Sequence, residues 1–416
     1  MNNSARGGDM TEERADVTAR LERLIGSIRE AAPETSERVL AAFRAVPRHV
    51  FVSEVHVDIP DGGSKTLVCD PRSPSKGALD FVYQDAALRQ WRLCADGETR
   101  LSMNSLPSMT AQALTALEIE DGHRVLEVGA GTGYAAALLG HLVGHSGAVV
   151  SMEIVPEFAA AAQRTIAELG LDQVRLTEGD GALGYPSGAP FDRIMASVSL
   201  SQVRRAWLDQ LRPQGKILLP LRLTPGGDVL IVLQEEGGDL IGRGIRSCGY
   251  QPLLGPYGYD EHEGLACTDS DSALKSLVER ERESLDFIGA MVGDIEEALD
   301  FQFWLYLHDD WGALILNQAQ GTLWPVALLD PSRTTLAAWR IGETRVRLYG
   351  GPEARGRFLA GYERWTQQGR PRPADLRMQV FWNDPADDSS RAGTRRPLGD
   401  AKCRIWFESS AATNAL

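Results

Sequence analysis

At 416 residues and 45.4 kDa the chain exceeds the size at which a single hydrophobic core usually stops growing, so at least two folding units are expected. Acidic residues outnumber basic ones by 57 to 43, and a formal charge of -14 argues against nucleic acid as a partner. No run of about 18 apolar residues occurs and the first residues are polar and acidic, which predicts a cytoplasmic protein with no membrane partner. The five cysteines (Cys69, Cys94, Cys248, Cys267, Cys403) are odd in number and lack C-x-x-C spacing, so free thiols are expected rather than a disulfide framework or a metal site.

From Ala15 to Arg44, apolar positions such as Val17, Leu21, Leu24, Ile25 and Ile28 recur at helical spacing and predict one or two helices. Between Pro60 and Lys76 the density of Gly, Pro, Ser and Asp predicts an exposed loop or insertion with a short strand. Strand-like and helix-like segments then alternate: Arg124 to Val128, Tyr134 to Leu142, Ala148 to Glu153, Phe158 to Leu169, Val174 to Thr177, Phe191 to Ala196, Val203 to Leu211, Lys216 to Leu219 and Asp228 to Leu233. Such alternation predicts an α/β domain with a doubly wound, mostly parallel Rossmann-like sheet, binding its ligand at the carboxyl ends of the strands. Past residue 250 the pattern predicts a long amphipathic helix from Ser272 to Phe287 and a folded, aromatic-rich α+β region. A mobile loop from Asp384 to Gly399 and a last strand at Cys403 to Phe407 are expected. The expected domains are residues 1–100 (helical and substrate-flanking), 101–247 (cofactor-binding core) and 248–416 (accessory, for peptide recognition).

The stretch Glu127-Val128-Gly129-Ala130-Gly131-Thr132-Gly133-Tyr134 runs from a strand through a glycine turn into a helix. Its glycines allow a ligand close to the backbone, and Tyr134 stands where a nicotinamide fingerprint would need glycine. Glu153, followed by Ile154, ends the next strand, where a carboxylate can accept both hydroxyls of a ribose. Asp180 and Gly181 form a turn after the third strand, placed to meet an adenine ring. His141 and His145 have the spacing of a helical metal pair, but Gly144 lies between them and no third ligand is near, so no metal is expected. His308-Asp309-Asp310-Trp311 is polar enough for a functional cluster, but a turn after the Phe301 to Leu307 segment explains it as well and is the reading preferred.

Around this core the chain resembles the protein-L-isoaspartate O-methyltransferase family over about residues 40 to 233. The stretches that carry the resemblance are Val46-Pro47-Arg48-His49-Val50-Phe51-Val52, Tyr83-Gln84-Asp85, Ser105-Leu106-Pro107, the glycine turn, Glu153, Gly179-Asp180-Gly181, Ala189-Pro190-Phe191-Asp192 and Pro213-Gln214-Gly215-Lys216. The resemblance implies a class I methyltransferase that uses S-adenosyl-L-methionine and releases S-adenosyl-L-homocysteine. It implies that Ser105 lies beside the acceptor carboxylate, orienting it, with Tyr83, Asp85, Leu106 and Pro107 nearby. Ser105 also reads as an N-cap for a helix starting near Pro107. Arg48, Arg89, Arg92 and Arg100 fall in the segments expected to flank the acceptor pocket and to give it local positive charge, with Arg100 expected to bind substrate alongside Tyr83, Asp85, Ser105, Leu106 and Pro107.

The chain departs from the family pattern in its long C-terminal region, its Gly/Pro/Ser insertion and the longer run from Leu93 to Leu101. Together with Phe358-Leu359-Ala360-Gly361-Tyr362-Glu363-Arg364-Trp365 and Gly369-Arg370-Pro371, this resembles an extended branch associated with ribosomally made peptides, lanthipeptides and graspetides. That branch implies esterification of one aspartate in a modified precursor peptide, leading to aspartimide (succinimide) and isoaspartate. The alternative is repair of isoaspartyl residues in damaged proteins. A silent peptide-binding protein and a small-molecule methyltransferase are further readings, and the intact glycine turn, Glu153, Asp180 and Ser105 argue against the former.

Overall fold

The computed structural model describes residues 4–58, 64–71, 74–225, 227–259, 265–267, 271–279, 283–286, 295–317, 322–339, 345–382 and 393–408. Parts of the expected Pro60 to Lys76 and Asp384 to Gly399 loops, and the side chains of Cys267 and Trp324, lie outside the described residues. The chain divides into two compact units, Met1–Ser197 with Arg204–Leu218, and Val198–Val203 with Leu219–Leu416.

The first unit opens with helices α1 (Ser4–Ala31) and α2 (Glu37–Ala45), the latter capped by the Ser36 hydroxyl, which accepts from the Val39 amide. A hairpin of β1 (Glu54–Asp58) and β2 (Ser64–Val68) stands where the Gly/Pro/Ser insertion was expected. Helix α3 (Lys76–Val82) follows, then a second hairpin of β3 (Leu88–Leu93) and β4 (Thr99–Asn104), then helix α4 (Pro107–Leu117).

The core alternates β5 (Arg124–Val128), α5 (Tyr134–Val143), β6 (Ala148–Glu153), α6 (Pro156–Glu168), β7 (Val174–Glu178), β8 (Phe191–Ala196), a short α7 (Arg205–Leu208) and β9 (Leu211–Thr224). The strands lie in the order β7-β6-β5-β8-β9, every pair parallel. Val125, Leu126 and Val128 are all buried, as a strand covered on both faces requires. Chain order reverses between β6 and β8 around β5, and that crevice at the strand ends is where such sheets bind ligands. Helix α7 is shorter than the expected Val203 to Leu211 segment because β9 already begins at Leu211, ahead of Pro213.

The second unit continues β9 from Leu219 into β10 (Gly227–Glu236) and β11 (Asp239–Cys248). After β12 (Leu265–Cys267), α8 (Ser272–Glu279) and β13 (Glu283–Asp286) come α9 (Ile295–His308), β14 (Gly312–Asn317), β15 (Thr322–Leu329), β16 (Thr335–Trp339), β17 (Arg345–Gly350), α10 (Glu353–Gln367), β18 (Leu376–Phe381), β19 (Thr394–Leu398) and β20 (Ala401–Phe407). One sheet runs β9-β10-β11-β18-β20-β19 and another β12-β14-β15-β16-β17-β13.

In that second sheet the pleat sorts neighbours to opposite faces. Val326 and Leu328 pack with Phe301, Trp304, Trp339, Phe358 and Trp365 of one core, while Ala327 and Leu329 pack with Leu274, Leu277 and Tyr349 of another. Trp304, Trp339 and Trp365 are fully buried, whereas Trp311 is partly buried.

Two expectations are corrected here. The helix predicted from Ser272 to Phe287 ends at Glu279, and Glu283–Asp286 instead pairs antiparallel with residues 345–348 of β17, so sheet pairing overrides local helical preference. Thr394–Leu398 is a strand paired with β20 and not loop.

Candidate active site

The carboxyl ends of β5, β6 and β7 converge on the glycine turn. Gly131 has φ +54°, and a Cβ there would lie 3.4 Å from the Met103 carbonyl oxygen and 3.5 Å from Ser102 Oγ, so β4 passes directly over the turn. Gly181 is constrained by packing, since a Cβ would come within 2.4 Å of Val128 Cγ1. Ala130 and Tyr134 are buried, and the Tyr134 ring lies against Phe51 and Phe43, with centroids at 5.4 and 6.2 Å.

Glu153 is buried and braces the turn: Oε2 accepts from the Gly131 amide at 2.8 Å and Oε1 from the Val155 amide at 3.0 Å. Burial raises its pKa, opposed by those backbone donors. Ile154 is half-buried beside Cys94, Val155 and Phe158. Asp180 caps a short turn, Oδ1 accepting from the Ala182 amide at 2.9 Å.

Glu127 lies beneath the turn, fully buried, and receives the hydroxyls of Ser151 at 2.5 Å and Ser197 at 2.9 Å. Burial pushes its carboxyl up to about 7 despite these two donors. With both oxygens occupied by serines, Glu127 supports the turn from within the core.

Arg48 falls elsewhere than expected. It is completely buried and donates to the carbonyls of Val82 at 2.9 Å, Gln84 at 3.1 Å, Ala86 at 2.8 Å and Ser105 at 3.1 Å. Its charge is therefore spent on backbone, and burial lowers its pKa to about 10. One planar fork can hold several carbonyls at once, and here it ties the Tyr83-Gln84-Asp85 segment to Ser105.

Within that segment the Tyr83 hydroxyl lies 2.8 Å from His49 Nδ1, and Asp85 Oδ1 accepts from the Ser108 amide at 2.8 Å. Asp85 thus caps α4. Ser105 is not the N-cap: Leu106 holds that position, makes no side-chain cap bond and is followed by Pro107, so the Ser105 hydroxyl is left for other partners. Arg100 lies on the second hairpin, where its guanidinium pairs with Asp96 at 2.5 and 2.9 Å, and that contact raises its pKa. Arg92 sits over the Phe158 ring at 6.0 Å and Arg89 is exposed. Residues 308–311 do form a turn, with Asp309 Oδ1 accepting from the Trp311 amide at 2.9 Å. Among the described residues no group of three or more His, Cys, Asp or Glu side chains could hold a metal, and no helix is long and apolar enough to cross a membrane.

Sequence reasoning missed Ser102 and Asn104. Both are buried on β4; the Thr132 hydroxyl donates to Asn104 Oδ1 at 2.5 Å, while Ser102 Oγ and Asn104 Nδ2 have no partner among the described residues. Tyr134 Oη is likewise buried without a partner among the described residues. Orphaned buried polar atoms beside a glycine turn are what a polar ligand would satisfy.

A parallel α/β sheet with a glycine turn after its first strand, and an acid closing its second, defines a class I S-adenosylmethionine-dependent methyltransferase. Residues 78–256 match the family model described as Protein-L-isoaspartate(D-aspartate) O-methyltransferase (PCMT). A protein-L-isoaspartate O-methyltransferase of Methanopyrus kandleri is 34% identical over 243 residues, 58% of this chain and 94% of that one. Another, of Archaeoglobus fulgidus, is 32% identical over 253 residues, 59% of this chain and 97% of that one. A solved protein-L-isoaspartate O-methyltransferase covers 86% of this chain and 96% of its own at 23% identity and TM-score 0.49. The chain belongs to the protein-L-isoaspartate O-methyltransferase family.

Proposed function

We propose that this enzyme methylates the side-chain carboxylate of an isoaspartyl residue in a peptide or protein. The observation that supports this reading most is the clamp at Arg48, which joins Ser105 to Gln84 in the Tyr83–Asp85 segment, beside Tyr134 of the glycine turn. The matched relatives carry the same activity in their names.

The glycine turn, Glu153, Asp180 and Gly181 would hold S-adenosylmethionine, which would supply a sulfonium methyl group. An acceptor carboxylate is ionised at neutral pH and needs no general base, so positioning can supply most of the rate. The Ser105 hydroxyl donates to one carboxylate oxygen and leaves the other free to face the methyl group. Ser105→Ala is expected to lower kcat/KM for an isoaspartyl peptide by about tenfold to a hundredfold, the worth of a hydrogen bond to a charged group, with S-adenosylhomocysteine affinity little changed. An unchanged kcat/KM would remove Ser105 from the site.

The second reading is esterification of an ordinary aspartate in a ribosomally made peptide of the lanthipeptide or graspetide kind, closing to a succinimide. It is favoured by the residues beyond 256, outside the family match, with residues 248–416 then serving peptide recognition. Mass spectrometry of an isoaspartyl peptide and its aspartyl counterpart, each incubated with enzyme and S-adenosylmethionine, separates the two. Methyl gain on the isoaspartyl peptide alone supports repair. Methyl gain and methanol loss on an aspartyl peptide favours the second reading.

A further inference from the structure

We infer that the outer face of the β3–β4 hairpin docks the acceptor chain, taking a large apolar side chain about four to six residues from the methylated one, an inference that rests on the isoaspartyl-peptide reading above. Alternation along the paired strands sorts their side chains to two faces. Leu88, Gln90, Ser102 and Asn104 are buried on the inner one. The outer one carries Arg89, Trp91 and Leu93 of β3 opposite Met103, Leu101 and Thr99 of β4.

Trp91 is 47% exposed and Leu93 70%, while Leu101 and Met103 are half-buried. Among the described residues no third strand joins this pair. Single exposed apolar residues are ordinary, but here four adjoin on one face, and Trp is among the side chains most enriched where interfaces carry their binding energy.

Continuity and charge choose the occupant. Strand β4 ends at Asn104 and the next residue is Ser105, so this face leads straight to the acceptor position. Leu101, opposite Trp91, precedes Ser105 by four residues, and Thr99, opposite Leu93, precedes it by six. An extended peptide rises about 3.3 Å per residue, as a strand does. A peptide lying along β4 with its carboxylate at Ser105 therefore sets its fourth to sixth neighbour over Trp91 and Leu93. Arg89 is the one charged side chain among the six on this face, and it pairs with Met103 at the end nearer Ser105. An isoaspartyl acceptor brings its own negative charge to that end.

Steady-state methylation of three isoaspartyl peptides by the full-length enzyme tests this. One is short and ends before the apolar face is reached. Two are long and carry either leucine or serine at the fourth to sixth positions on both sides of the acceptor. With wild type, the leucine peptide is expected to have a KM about tenfold below that of the serine peptide, at similar kcat. Trp91→Ser and Leu93→Ser, both at exposed positions, should each remove most of that advantage and leave the KM of the short peptide within about twofold. Equal KM for the leucine and serine peptides with wild type would overturn the assignment. So would an advantage that survives the two substitutions combined, since the apolar contact would then lie elsewhere. Sedimentation showing a wild-type dimer that Trp91→Ser splits, with peptide KM unmoved, would give the face to a second copy of the chain. Methylation of none of the three peptides would instead overturn the isoaspartyl reading, and the inference with it.

Discussion

Arg48 and Glu127 are the two fully buried charged groups around which the site is built, and their energetics differ in sign. Arg48 satisfies four carbonyls that have no regular secondary-structure partner in its place. Arg48→Met would leave them unpaired and is expected to cost about 3 kcal/mol or more in urea unfolding, with Arg48→Lys intermediate because an ammonium lacks the planar fork. A loss below about 1 kcal/mol for the Met variant would contradict the clamp. Glu127 behaves oppositely, because its folded-state pKa of about 7 lies above the ordinary value of 4.5. A raised carboxyl pKa means the native state holds the proton more tightly than the unfolded chain. The stability this brings is fully present below about pH 4.5 and lost as pH rises through about 7. In the difference between wild type and Glu127→Gln, stability should therefore fall by a few kcal/mol across that window, and a flat difference would refute the shift.

Among elements, α4 shows how a site loop and a helix terminus are joined. Its first turn is capped by Asp85 from 23 residues upstream, not by the adjacent Ser105. Asp85→Ala should cost about 1 kcal/mol by thermal unfolding, with a raised KM for the acceptor peptide because Ser105 immediately precedes this helix; an unchanged melting temperature would contradict the cap. The parallel strands were legible in the sequence because apolar runs such as Val125-Leu126 and Val149-Val150 are bounded by turn residues, and the glycine turn because its spacing is strict. The cap and the Arg48 clamp were not legible, since each joins positions far apart in sequence through a single side chain. Asn104 and Ser102 escaped for another reason: on a strand, a buried polar residue looks like any alternating position until the turn beneath it is known. The Ser272 to Phe287 segment misled because helical spacing is local, and the pairing of Glu283–Asp286 with β17 is not.

For the molecule as a whole, a formal charge of -14 sets a long-range preference among acceptors that no single contact determines. Isoaspartyl peptides flanked by lysines should show higher kcat/KM than those flanked by glutamates at low salt, and the gap should narrow as ionic strength rises. Equal rates for the two peptides at low salt would argue against steering by net charge. The fold also constrains how the chain can be shortened. Strand β11 is flanked by β18, Leu240 to Arg243 opposite Arg377 to Val380, although β18 follows it by more than a hundred residues. Ending the chain at residue 256, where the family match stops, would strip β11 of that neighbour and leave a bare row of amides and carbonyls. A minimal version designed on family boundaries would thus be sticky, recruiting copies of itself edge to edge, because the C-terminal strands are what cover that edge.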